Sequence, residues 1–177
     1  MNYIEKVRFL AKHAEKKDYE ENKYFIDISV EQNHWQVGEL ELIIKDYDYI
    51  PRSYINFVKE FDNLGLAFAT FYGSKHIINH GLKPIWNLGL VDFIDIASFH
   101  AIFRMREFFP FAKDFESNIF AFNREQKVIY FNTENNEIVA NNFEEFVEEC
   151  LMGKYYHEFE DIENNKYYNF LKSLGWV

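Results

Sequence analysis

The side chains of this 177-residue chain that could carry chemistry are six histidines, one cysteine and 29 carboxylates. The histidines stand at positions 13, 34, 76, 80, 100 and 157, and only His76 and His80 have the i, i+4 spacing with which one helix presents two imidazoles to a metal. Ser74 before that pair and Gly81 directly after it argue against a helix there, HExxH is absent, and no spacing identifies a third ligand. The pair reads as ordinary loop histidines, and neither a metal nor a cofactor is expected. Cys150 falls in a run, Phe143 to Met152, whose apolar residues recur at helical spacing, so it reads as a small buried hydrophobe. Glu148 and Glu149 beside it would raise a thiol pKa, the opposite of what a nucleophile needs. Carboxylate pairs can be drawn by chance among so many acids, so none singles out a glycosidase couple. Seven scattered glycines never form GxGxxG or GxxxxGK(S/T), which removes the two common phosphate-cradling loops. No catalytic set emerges, and the chain is expected not to be an enzyme.

The carboxylates carry information by their distribution. The formal charge is −10 with a sequence pI near 5.1, which argues against nucleic acid as a partner, since phosphate neutralisation needs clustered Lys and Arg. Residues 1–133 hold 19 acids against 16 bases, whereas residues 134–177 hold 10 against 3, so the last stretch carries −7 of the −10. Within it Glu158, Glu160, Asp161 and Glu163 stand close together, preceded by Tyr155 and Tyr156. Two readings stand for this segment: a solvated acidic linker between helices, or a contact surface for a basic partner with the tyrosines as aromatic anchors. One cysteine excludes an intrachain disulfide, and the absence of a leader-like start points to the cytoplasm. No apolar run approaches 18 residues, so no membrane span is expected.

With 48% apolar residues, 20 Phe and 12 Tyr, the chain can close one sizeable core, and residues 1–177 are read as a single domain. Ile4, Val7, Leu10, Ala11 and Ala14 form one side of an amphipathic helix over the first 17 residues. A weak strand signal covers Lys23 to Val30, and Leu40, Ile43 and Ile44 suit a helix over Val37 to Asp46. Pro51 opens a helix with Tyr54, Phe57, Val58 and Phe61 on one face. Leu66 to Tyr72 has the composition of a buried strand; Gly81, Pro84 and Gly89 break residues 77–90 into loops. A helix over Val91 to Arg106 follows, with Pro110 ending that element and beginning an edge-like extended one. Three short strands around Ile119 to Phe122, Val128 to Phe131 and Ile138 to Ala140, joined by polar turns, make an antiparallel meander. Asn142, with Glu145 three residues on, caps a helix Phe143 to Met152 that Gly153 ends, and Tyr167 to Leu174 repeats the helical pattern. The result is an α+β fold, a mostly antiparallel sheet flanked by helices, with Phe57, Phe61, Phe120, Phe122, Phe143 and Phe146 as core.

Three blocks, in this order, resemble the SUKH superfamily, which groups bacterial toxin-immunity proteins with fungal regulators of cell-wall synthesis. The first is the proline-opened helix, Ile50-Pro51-Arg52-Ser53-Tyr54-Ile55-Asn56-Phe57-Val58 through Asn63. The second is Phe109-Pro110-Phe111-Ala112-Lys113-Asp114 leading into Ile119-Phe120-Ala121-Phe122. The third is Val128-Ile129-Tyr130-Phe131 followed by Ile138-Val139-Ala140-Asn141-Asn142-Phe143-Glu144-Glu145-Phe146. The family-like core spans about residues 37–152, with helical extensions at both ends. Ser117-Asn118, Asn123 and Asn142 stand where family members commonly carry Gly-Asp, Asp and Ser.

The resemblance implies a non-catalytic protein that binds and neutralises a cognate polymorphic or contact-dependent toxin, often a nuclease whose basic cleft an acidic protein can meet. The alternative it implies is an intracellular scaffold of the cell-wall-regulator type. Glu158, Glu160, Asp161 and Glu163, with Tyr155 and Tyr156, are the expected contact residues.

Overall fold

The first element, α1 (Tyr3–Lys16), begins with a reciprocal cap: Glu5 N–H donates to Asn2 Oδ1 at 3.0 Å while Asn2 N–H donates to Glu5 Oε2 at 2.9 Å. Of the predicted stripe, Val7 and Leu10 bury completely, Ile4 packs beside them together with Tyr3, and Ala11 is half-buried. The computed structural model describes residues 1–16, 48–61, 64–71, 107–116, 118–132 and 135–177. The expected strand at 23–30, the helices at 37–46 and 91–106, and the loops at 77–90 lie outside these residues.

Helix α2 (Arg52–Glu60) buries Tyr54, Phe57 and Val58, and Phe61 just beyond it is buried as well. Pro51 is the cap rather than the first helical residue. Its ring sets φ at −62°, suited to the helix, while ψ of 137° keeps it extended.

The single strand expected over residues 66–72 is instead a hairpin, β1 (Gly65–Leu66) and β2 (Ala69–Phe71), folded about Ala67 and Phe68. Composition alone cannot see this turn, because Ala67 takes φ of +56° without the glycine or asparagine that usually marks a left-handed residue. The sheet continues with β3 (Phe108–Lys113), β4 (Ile119–Asn123), β5 (Val128–Phe131) and β6 (Asn136–Ala140), every neighbour antiparallel and in sequence order. The predicted three-strand meander is its second half.

Pro110 neither ends a helix nor lies on an edge strand: it sits inside β3, between β2 and β4. It is tolerated because, among the described residues, β2 pairs with Ala112 and Lys113 and not with Pro110, and because the β3–β4 register slips between Pro110 and Ala112, leaving Phe111 as a bulge. The bulge turns Phe109, Phe111 and Ala112 toward one face with Phe120 and Phe122, where α1, α2 and the C-terminal elements close the main core. Ile119, Ala121, Ile129 and Phe131 form a second buried cluster on the opposite face.

Helix α3 opens at Phe143–Glu145, where Asn142 Oδ1 accepts from Glu145 N–H at 2.8 Å, and then widens into a π-helix, Phe146–Leu151. The sequence predicts an ordinary α-helix to Met152. In one, Met152 would sit about 180° from Phe143; the wider turns and the non-helical Met152 let Phe143, Phe146, Val147, Cys150, Leu151 and Met152 all bury. A 3-10 turn, Tyr156–Glu158, leads to α4 (Lys166–Ser173), capped by Asn165 accepting from Tyr168 N–H at 2.9 Å.

Gly153 closes α3 for a steric reason: a Cβ there would lie 2.4 Å from the Glu148 carbonyl oxygen and 2.8 Å from Glu149 Cα, both backbone atoms. Gly153→Ala is therefore expected to destabilise the fold by about 1–3 kcal/mol, as overpacking does. Urea denaturation of the variant checks this by a lowered midpoint at unchanged slope.

Candidate functional site

Strand β3 ends at Lys113, and the next residue, Asp114, organises the turn into β4. Its Oδ1 accepts from the backbone N–H groups of Glu116 and Asn118, each at 2.9 Å, and its Oδ2 accepts from Asn118 Nδ2 at 3.0 Å and from the Tyr130 hydroxyl at 2.6 Å. The Tyr130 phenol is held protonated, its pKa raised by burial first and then by the Asp114 carboxylate it donates to. This turn presents Phe115 outward, 75% exposed, an unusual position for a phenylalanine.

Tyr130 continues into a column of rings. It stacks on Phe120 at 4.8 Å between centroids and meets Phe159 edge-on at 6.1 Å, and Phe159 stacks on Phe68 at 4.7 Å. Phe68 comes from the β1–β2 turn, Tyr130 from β5 and Phe159 from the end of the 3-10 turn.

These rings and the surrounding loops enclose a cavity of about 590 Å³. Six carboxylates line it: Asp114 and Glu116 from the β3–β4 turn, Glu137 from β6, and Glu158, Glu160 and Asp161 from the segment before α4. No lysine, arginine or histidine is among its described lining residues. Ile138 of β6, 56% exposed, and Phe115 add apolar surface at the same opening.

Glu160 shows the electrostatic strain of this grouping. Its pKa is raised, first by burial and then by repulsion from Asp114 and Glu116 across the groove. No described residue donates a hydrogen bond to its side chain.

The expected contact residues divide. Glu158, Glu160 and Asp161 meet in the groove, whereas Glu163 is exposed outside its lining. Tyr156 is 3% exposed, packs on Tyr167 and Tyr168, and accepts from Asn165 Nδ2 at 3.0 Å; burial pushes its phenol up to about 12. It braces the segment from beneath and offers a partner no surface. Tyr155 is half-buried with the Lys154 ammonium 4.6 Å from its ring centre, also away from the groove.

Sequence reasoning missed Asp114, Glu116 and Glu137, which reach the same groove from two other places in the chain. The signal for the first two was the Asp-Phe-Glu tripeptide at a polar turn, an aromatic where turns favour small polar residues.

Cys150 is buried, and burial, then Glu145, Glu158 and Glu149, push its thiol up to about 12, so it stays protonated near neutral pH. His13 stacks on Phe9 and Phe170, while His157 is exposed with Nδ1 2.7 Å from the Lys154 carbonyl oxygen. His34, His76, His80 and His100 lie outside the described residues. Among the described residues no three His, Cys, Asp or Glu side chains converge to hold a metal ion, and no helix is long and apolar enough to cross a membrane.

Among the described residues, a six-stranded antiparallel sheet in sequence order with helices on its aromatic face and an acidic groove defines the class, a small α+β domain of the SUKH superfamily. Residues 37–149 match the SMI1 / KNR4 family (SUKH-1), and the chain belongs to that family. No curated protein and no solved structure matches it.

The raised Glu160 pKa has a sign for stability. The folded state binds this proton more tightly than the unfolded chain, so stability falls as pH rises from the ordinary glutamate value through the raised one. Glu160→Gln is expected to raise Tm near pH 7 and to lose that advantage as pH falls through the carboxylate range. Thermal melts at both ends of the range check it.

Proposed function

We propose that this protein is a non-catalytic immunity protein that binds and neutralises a cognate bacterial toxin of the polymorphic or contact-dependent kind, a nuclease-type domain with a basic cleft. The observation that carries the reading is the groove: six carboxylates and no described cation around an aromatic floor, in a chain of the SUKH-1 family. Such a surface attracts a positively charged cleft at long range, raises the encounter rate, and repels nucleic acid and other polyanions. A protein of this kind needs no reactive group of its own. It acts in the cytoplasm, where a toxin of the producing cell or its neighbours would reach its target.

Co-expression with the toxin encoded beside its gene is expected to restore growth. Cells that die as readily with the protein as without it overturn the reading, and an isolated gene would favour the scaffold role. Electrostatic steering is separable from stability. Replacing Glu158, Glu160 and Asp161 together by Gln, Gln and Asn is expected to slow association with a basic partner by about tenfold at low salt. The same change should flatten the salt dependence, while Glu163→Gln alone leaves both nearly as they were. Stopped-flow association at two ionic strengths measures this.

A further inference from the structure

We infer that the groove is a docking site for an arginine-bearing extended segment of a partner polypeptide, with the guanidinium seated against the aromatic floor and facing Glu160. This rests on the reading of the chain as a binding protein, and it names what the site grips.

The occupant follows from charge complementarity and shape. Six carboxylates reach one opening from three parts of the chain with no cation among the described lining residues, so the complementary ligand is positive. The cavity, about 590 Å³, is of the size that holds an organic ligand or several residues rather than a single ion. Its carboxylates do not converge closely enough to chelate a metal, which again suits a ligand whose charges are spread along a chain.

Arginine is selected over lysine by the floor. Phe68 and Phe159 stack nearly parallel, 20° between planes, and the Tyr130 ring stands across Phe159 at 85°. A planar guanidinium can lie on such a ring and still direct its N–H fork at carboxylates, while an ammonium is a strongly hydrated point charge. The two acidic sides play different roles. Asp114 already accepts four hydrogen bonds from its own turn and from Tyr130, so it acts as a fixed charge. Glu160 faces Asp114 and Glu116 across the groove, has Glu158 and Asp161 beside it in its own segment, and receives no described donor. Like Glu137 and Glu158 it is open to a bidentate contact, and of these three it is the one set against Asp114 and Glu116 across the groove. Phe115 and Ile138, both exposed at the opening, provide apolar surface for the aliphatic stem.

The test titrates the full-length protein at low ionic strength with end-blocked Gly-Arg-Gly-Arg-Gly, its lysine and citrulline counterparts, and free arginine, followed by isothermal calorimetry. The arginine peptide is expected to bind at least fivefold more tightly than the lysine peptide, and the uncharged citrulline peptide not to bind. Free arginine, whose α-carboxylate the groove repels, should bind at least fivefold more weakly than the peptide. Glu160→Gln and Phe159→Leu should each weaken the arginine peptide about tenfold, and Glu163→Gln should not. Equal affinity for arginine and lysine peptides, binding of free arginine as tight as the peptide, binding indifferent to Glu160→Gln, or no binding at all overturns the proposal. Should Phe159→Leu fail to fold, Glu160→Gln decides alone. If co-expression protects cells while the arginine peptide fails, this inference falls and the immunity role stands; if the peptide binds and protection fails, the reverse holds.

Discussion

The ring of Phe143 is the point on which the described fold turns. It meets Tyr3 of α1, Tyr54 and Phe57 of α2, Phe71 of β2, Phe111 of β3 and Phe122 of β4, all edge-on, with centroids 5.2–6.1 Å apart. Edge-to-face pairs are worth about 0.5–1.5 kcal/mol each beyond the burial of area, and here one side chain joins two helices and three strands. Its position depends on the Asn142 cap on Glu145, which fixes where α3 leaves the sheet. Glu145 answers by accepting from Asn141 N–H and Asn141 Nδ2, so the strand-to-helix junction is held from both sides. The aromatic richness of the composition thus has a definite structural use.

The groove inherits its floor from this core. Phe120 packs on Phe146 at 4.9 Å on one side and on Tyr130 on the other, so the column Tyr130, Phe159 and Phe68 is an outward extension of buried rings. That continuity makes the floor rigid, and rigidity matters for recognition because a preformed surface loses less conformational freedom on binding. Tyr156 takes part from below, tied by Asn165 to the start of α4. The acidic segment is consequently braced at both ends, by the 3-10 turn and by the α4 cap.

What the sequence made legible was the periodic part. The stripes of α1, α2 and α3 and the alternation of β4 and β5 appear as repeats of 3.6 and 2, and the Asn142 cap appears as a spacing to Glu145. The departures have local causes that leave no periodic trace. Ala67 turns a hairpin with an unmarked residue, Phe111 inserts a bulge that rescues Pro110 within a strand, and the π-helix changes the repeat without changing which side chains are apolar. Asn123, standing where an aspartate is frequent in the family, keeps the turn by accepting from Glu125 and Lys127 N–H, since an amide oxygen serves as well as a carboxylate there. Of the site, only the contiguous half could be read. Glu158, Glu160 and Asp161 are neighbours in the chain, whereas their meeting with Asp114, Glu116 and Glu137 depends on how β3, β4 and β6 are ordered in the sheet.

The charge of the groove is an arrangement rather than a by-product of an acidic composition. The described ion pairs join Lys6 to Glu148, Arg8 to Glu60, Lys127 to Glu125 and Lys154 to Glu149, and none of those four acids lines the groove. Cations therefore neutralise carboxylates elsewhere while the six in the groove face one another. Burial first, and then repulsion from Asp114 and Glu116, raise the Glu160 pKa, and both oppose folding while that carboxylate is charged. Low-dielectric walls strengthen the same repulsion and the same attraction for an incoming cation, because both arise from one field. A ligand that brings positive charge into the groove relieves the repulsion and gains the attraction in a single step, so the features that weaken the free protein are those that would tighten its complex.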